Sequence, residues 1–217
     1  MARPAVEHAD ITVPADTPYG PASVHLQPVH APRAALVLGH GAAGGVNAPD
    51  LVAATEAARA EGLTVAFIEQ PYRVAGRRSP APAGQLDTAW TAVVDRLRRE
   101  ELHGLPLVVG GRSLGARVAC RTAAAAGAVA VLCLAFPLQP PGRRASGTEA
   151  PSRLPELEAV TLPTLVIQGE RDRFGIPPGG RRRTVVVVAG DHGLKADPVA
   201  IGAAVRDWLP RVVPAGV

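Results

Sequence analysis

The chain has 217 residues, enough for one sizeable core that needs no disulfide or metal staple. With 47 % hydrophobic and 19 % charged residues it has the composition of a folded domain, which excludes a disordered or low-complexity chain. The net charge of +4 comes from short, scattered arginine clusters, with no aromatic platform between them and no zinc-finger spacing, so no nucleic-acid partner is expected.

No run approaches the roughly 18 apolar residues of a membrane span, and Met1 through Asp10 hold no apolar signal core. A soluble, cytoplasmic, single-domain protein over 1–217 is expected, with no membrane partner. Oligomeric state is not legible. Cys120 and Cys133 lie in apolar stretches without metal-ligand or CxxC spacing and read as buried small hydrophobes.

In chain order, 10–13 and 23–27 are short alternating runs separated by Pro and Gly, which predicts an antiparallel pair opening a sheet. The pattern then changes to apolar strands alternating with helices, the mark of a mostly parallel α/β sheet. Strands are predicted at 34–39, 63–68, 106–110, 128–134, 163–168 and 184–188. Helices are predicted near 50–61, 84–102, 114–126 and 198–209. Asp50 stands at the start of the first, and Gly62 follows as its stop signal. Leu86, Trp90, Val93, Val94 and Leu97 share one face of the second. Two stretches lack periodicity: an Arg/Pro-rich loop at 69–83, and an excursion at 136–162 with one short helix around 153–159. The excursion is too short for a separately folded cap.

The chemistry concentrates at the ends of the parallel strands. Gly111-Arg112-Ser113-Leu114-Gly115 is a G-x-S-x-G elbow between a predicted strand and helix. A turn that tight strains the Ser113 backbone, and flanking glycines avoid clashes there. The hydroxyl stands at the head of a helix, and the Leu114 N–H points to where an oxyanion would form. Gly39-His40-Gly41-Ala42-Ala43-Gly44-Gly45 follows the strand at 34–39 and suits a second oxyanion donor at Ala42. Gly39-x-Gly41-x-x-Gly44 equally satisfies a dinucleotide fingerprint, with Glu69 near where a ribose-binding acid would sit. That segment alone does not decide.

Asp172 and His192 each fall four residues past a predicted strand, so parallel strands deliver both to the edge that carries Ser113 and the His40 loop. The order Ser, acid, His is that of a hydrolase triad. His192 would take the Ser113 proton and return it to the leaving group, with Asp172 fixing the tautomer. Glu170 is the rival acid, and Asp191 ranks lower because it points elsewhere if His192 faces the serine. Arg73 and Arg112 are candidates for pairing an anionic substrate group, with His40 a further candidate contact. Arg112 serves equally as a structural tie for the elbow.

These four motifs resemble the α/β-hydrolase superfamily, and more narrowly its small, lidless, dienelactone-hydrolase-like bacterial members. The likeness runs from about residue 10 to 210. It implies a mostly parallel central sheet with helices on both faces, no large cap domain, no cofactor or metal, and a Ser113–Asp172–His192 triad with oxyanion donors at Ala42 and Leu114. Dienelactone hydrolases proper use a Cys nucleophile, whereas this elbow holds a serine, so the resemblance says little about substrate. A serine hydrolase of ester or thioester bonds on a small-molecule substrate is the expected function. A catalytically silent scaffold serving as an interaction module and a nucleotide-binding enzyme using Gly39–Gly44 are the alternatives.

Overall fold

A computed structural model describes residues 11–42, 45, 47–140 and 150–213. Asp10, Ala43, Gly44, the Arg143–Arg144 pair and part of the 136–162 excursion lie outside them. β1 (Ile11–Ala15) and β2 (Ala22–Gln27) pair antiparallel, as their alternating runs predict. The turn between them is closed by Thr17, whose hydroxyl donates to the Gly20 carbonyl at 2.7 Å. β3 (Ala34–Gly39), β4 (Leu63–Glu69), β5 (Leu107–Arg112), β6 (Ala130–Leu134), β7 (Thr164–Gly169) and β8 (Arg183–Val188) run parallel to one another. The eight strands form one sheet in the order β1-β2-β4-β3-β5-β6-β7-β8.

The helices are α1 (Pro49–Ala60), α2 (Pro71–Val74), α3 (Ala83–Arg99), α4 (Leu114–Thr122), α5 (Leu154–Glu158) and α6 (Pro198–Val212). Alternation along each buried strand splits the apolar side chains between two faces. Leu36, Leu38, Val65, Leu132 and Ile167 pack with α1 and α6, while Val37, Ile68, Val109, Val131 and Val166 pack with α3 and α4. The predicted apolar face of α3 is the buried one, with Trp90 at its centre, 1 % exposed. Cys120 and Cys133 are free and buried, their sulfurs 3.5 Å apart.

Several boundaries differ from the periodic reading. α3 stops at Arg99, and α4 at Thr122. Each run of predicted helix beyond those ends is turn, closed by a glycine at positive φ (Gly104 at 75°, Gly127 at 59°). α2 lies inside the stretch read as loop. Its single turn starts at Pro71, whose fixed φ suits a first helical position, and four residues are too few to show a period. Among the described residues no helix is long and apolar enough to cross a membrane.

This architecture brings the C-terminal ends of β3, β5, β7 and β8 to one edge. Gly39 pairs in register with Gly111, and Gly169 with Val188. The loops carrying His40, Ser113, Asp172 and His192 therefore leave the sheet side by side.

Candidate active site

Ser113 joins β5 to α4 with φ 52° and ψ −105°. A non-glycine residue there carries on the order of 1–3 kcal/mol of strain, sustained only where neighbours over-determine the conformation. The neighbours here are specific. The Ser113 N–H donates to the Leu134 carbonyl at 2.8 Å, tying the elbow to the end of β6. A Cβ on either Gly111 or Gly115 would run into the Gly39 carbonyl. Both flanking glycines are thus required by the closeness of β3 to the turn.

The Ser113 hydroxyl lies 2.9 Å from His192 Nε2, and His192 Nδ1 lies 2.8 Å from Asp172 Oδ2. A carboxylate only accepts, so Nδ1 carries the proton and Nε2 is left to accept from the serine. Asp172 is held from three directions. Gln168 Nε2 donates to Oδ2 at 2.7 Å, the Phe174 N–H donates to Oδ1 at 2.9 Å, and His192 takes the remaining direction. Gln168 is itself fixed through the Phe136 and Gly175 carbonyls, at 3.1 and 3.0 Å. The Phe174 ring meets the imidazole edge-on, with centroids 4.4 Å apart. The rival acids are engaged elsewhere: Glu170 pairs with Arg171 at 2.7 Å, and Asp191 Oδ1 accepts from the Gly193 N–H at 2.8 Å.

Ser113 and His192 open on a cavity of about 810 Å³, whose walls include Ala42, Leu114, Phe174 and Arg112. Leu114 is the first residue of α4, where the helix offers its N–H no acceptor. The Ala42 carbonyl accepts from the Tyr72 hydroxyl at 3.0 Å, which anchors the loop on the opposite wall. Burial raises the Tyr72 phenol to about 12, so it stays a donor.

Of the three residues expected to touch substrate, Arg112 alone lines the cavity. His40 is 3 % exposed and absent from the cavity wall. Its Nδ1–H donates to the Gly41 carbonyl at 2.8 Å, and its Nε2 accepts from the Gln70 N–H at 3.1 Å. The ring is a pin between the β3 and β4 loops, and desolvation on burial lowers its proton affinity. Arg73 also lies off the wall, on α2, so neither is a substrate contact in this geometry. Arg112 lines the cavity, but as a tie. Its Nη2 donates to the His192 carbonyl at 2.9 Å, and its Nε lies 3.0 Å from Asp50 Oδ2 as an ion pair rather than an aligned hydrogen bond. Asp50 is fully buried in the first turn of α1, and desolvation raises its carboxyl against the opposing pull of Arg112.

The dinucleotide alternative is not supported at the same loop. α1 begins only at Pro49, beyond the glycines, rather than presenting its N-terminus directly to them. Glu69 faces His25 on β2 at 3.7 Å. Gln168, Phe174 and the Asp50 partner of Arg112 were not legible as site residues. The signal for Gln168 was faint but present, as a polar residue closing an apolar strand just before the acid.

Residues 32–198 match the model of the alpha/beta hydrolase domain, and the chain belongs to that family. No sequence among curated proteins matches it. Its fold is shared with XC6422 from Xanthomonas campestris, described as an α/β serine hydrolase without a lid, at TM-score 0.73 and 20 % identity over 99 % of this chain and 100 % of that one. Est1E from Butyrivibrio proteoclasticus aligns at TM-score 0.75 and 14 % identity over 94 % and 99 %. A dienelactone hydrolase from Anabaena variabilis aligns at TM-score 0.73 and 16 % identity over 95 % and 99 %. At such identities the likeness establishes a common fold.

Proposed function

We propose that the protein is a serine hydrolase of ester or thioester bonds in which Ser113 is the nucleophile, His192 the general base and acid, and Asp172 the group that orients the imidazole. One observation carries this reading: an unbroken hydrogen-bonded chain from a strained, cavity-facing serine through His192 to a buried, fully engaged Asp172.

Ser113 Oγ attacks the carbonyl carbon while its proton passes to His192 Nε2, and Asp172 stabilises the imidazolium. The oxyanion takes hydrogen bonds from the N–H groups of Leu114 and Ala42 on facing walls. Collapse of the tetrahedral species expels the alcohol or thiol, which takes the proton from His192, and leaves the acyl group on Ser113. Water entering from the open cavity gives a proton to His192 as it attacks the acyl carbon; collapse breaks the bond to Ser113 Oγ, which takes that proton back from His192, and the acid is released.

A panel of p-nitrophenyl esters of increasing acyl length tests the reading. The wild type is expected to hydrolyse short and medium chains. Ser113→Ala is expected to lower kcat by on the order of 10⁴–10⁶-fold with the fold intact by circular dichroism. A folded Ser113→Ala variant that keeps wild-type rates would contradict it.

A further inference from the structure

The wall of the cavity that holds Ser113 carries six cations, Arg112, Arg117, Arg121, Arg153, Arg173 and Lys195, and no carboxylate among the described residues. Three of the six are already matched. Arg112 faces Asp50. Arg117 grips Glu156 through two bonds, of 2.8 and 2.6 Å. Arg121 grips Asp87 through bonds of 2.8 and 2.7 Å and reaches Glu156 at 3.3 Å.

Arg153 is not matched. It sits at the N-cap position of α5, one turn before Glu156, and is half-buried; among the described residues its guanidinium makes one hydrogen bond, from Nη1 to the Pro137 carbonyl at 3.1 Å, and no ion pair. Among the described residues Arg117, Arg121 and Arg153 thus share two carboxylates, Asp87 and Glu156, which leaves one positive charge in excess on a partly desolvated wall. Desolvation, and then repulsion from Arg117, pushes the Arg153 guanidinium down against the pull of Glu156. Arg173 and Lys195 are exposed on the loops after β7 and β8 and also lack carboxylate partners among the described residues. An anion entering this cavity meets a planar donor with N–H groups to spare in Arg153, and two exposed cations in Arg173 and Lys195.

We propose that the α4–α5 wall is a subsite for an anionic group, carboxylate or phosphate monoester, with Arg153 its principal ligand. The proposal rests on the hydrolase reading and narrows it: the substrate is an ester or thioester bearing a negative charge several bonds from the scissile carbonyl. The spacing follows from the two α4 arginines whose charges reach Arg153. Arg117 and Arg121 lie one and two turns beyond Ser113, roughly 6 and 12 Å along the helix axis.

The test compares kcat/KM for neutral p-nitrophenyl hexanoate, mono-p-nitrophenyl adipate and p-nitrophenyl 6-(phosphonooxy)hexanoate in wild type, Arg153→Gln and Arg153→Lys. Wild type is expected to favour at least one anionic ester over the neutral one, and which one identifies the anion. Arg153→Gln is expected to lower kcat/KM for that ester about tenfold to a hundredfold, mainly through KM, and far more than for the neutral ester, with Arg153→Lys recovering part. Calorimetric titration of adipate and of hexyl phosphate into Ser113→Ala and Ser113→Ala/Arg153→Gln reads the subsite without chemistry. Saturable binding that weakens at least tenfold in the double variant supports it. Neutral-ester turnover with no anion preference, or calorimetry indifferent to Arg153, overturns the subsite and leaves the hydrolase reading standing. Absence of any ester turnover removes that reading, and the calorimetry alone then decides the subsite.

Discussion

At Ser113 the backbone strain and the hydroxyl's partner come from different parts of the chain. The strain is local, set by Gly111 and Gly115 against the Gly39 carbonyl, while His192 arrives from 79 residues away. The same division applies at Asp172, which Gln168 and the Phe174 N–H orient before His192 is considered. Asp172→Asn places an NH2 either at the Oδ2 position, against both Gln168 and the imidazole N–H, where it favours the wrong tautomer of His192, or at the Oδ1 position, against the Phe174 N–H. The expected outcome is a fall in kcat of about 10³–10⁴-fold with little change in melting temperature, read on p-nitrophenyl esters. His40 gives a pH prediction. Desolvation on burial holds its folded proton affinity below the ordinary 6.5, and Nε2 accepts from Gln70 only while unprotonated. The unfolded chain therefore binds a proton first as pH falls. Stability from His40 is whole above 6.5 and is lost as pH drops from there through the lower folded value. Urea denaturation between about pH 7.5 and 5 should show wild type losing more stability than His40→Phe; equal losses would refute the pin.

At the scale of elements, Arg112 connects three of them: the last residue of β5, the first turn of α1 through Asp50, and the His192 loop through a carbonyl. Removing it leaves the Asp50 carboxylate buried without a cation, which costs about 3–5 kcal/mol for a pair this enclosed. Asp50 already has a raised carboxyl. A raised group stabilises the fold below its unfolded value near 3.8, and that contribution is lost as pH rises through the folded value. Arg112→Ala should therefore be strongly destabilised at neutral pH, and less so on acidification as Asp50 takes a proton. Chemical denaturation at several pH values checks the slope, and a pH-independent penalty would contradict it. The elements themselves were legible because strands β3 to β7 are continuous apolar runs between glycine and proline stops. What failed was short or terminal: α2, one turn on Pro71, and the ends of α3 and α4, where capping turns override periodicity.

Across the whole molecule, parallel strands made the convergence of Ser113, Asp172 and His192 readable, because residues just past their ends must share an edge whatever lies between. Ring orientation and charge pairing were not readable in that way. His40 sits at the right edge but turns into the β4 loop, and Arg73 falls on an unforeseen helix off the wall. The partners of Arg117 and Arg121 lie 39 and 34 residues away on α5 and α3, so only packing reveals that these two arginines are ion-paired in a cavity wall rather than solvated. The hydrolase reading depends on the Ser113 hydroxyl being the reactive group. The direct measurement is labelling by a fluorophosphonate probe, followed by intact mass and peptide mapping. One adduct on Ser113 is expected, absent in Ser113→Ala and greatly slowed in His192→Ala. A folded wild-type protein that takes up no probe, or takes it up at another residue, would contradict the account.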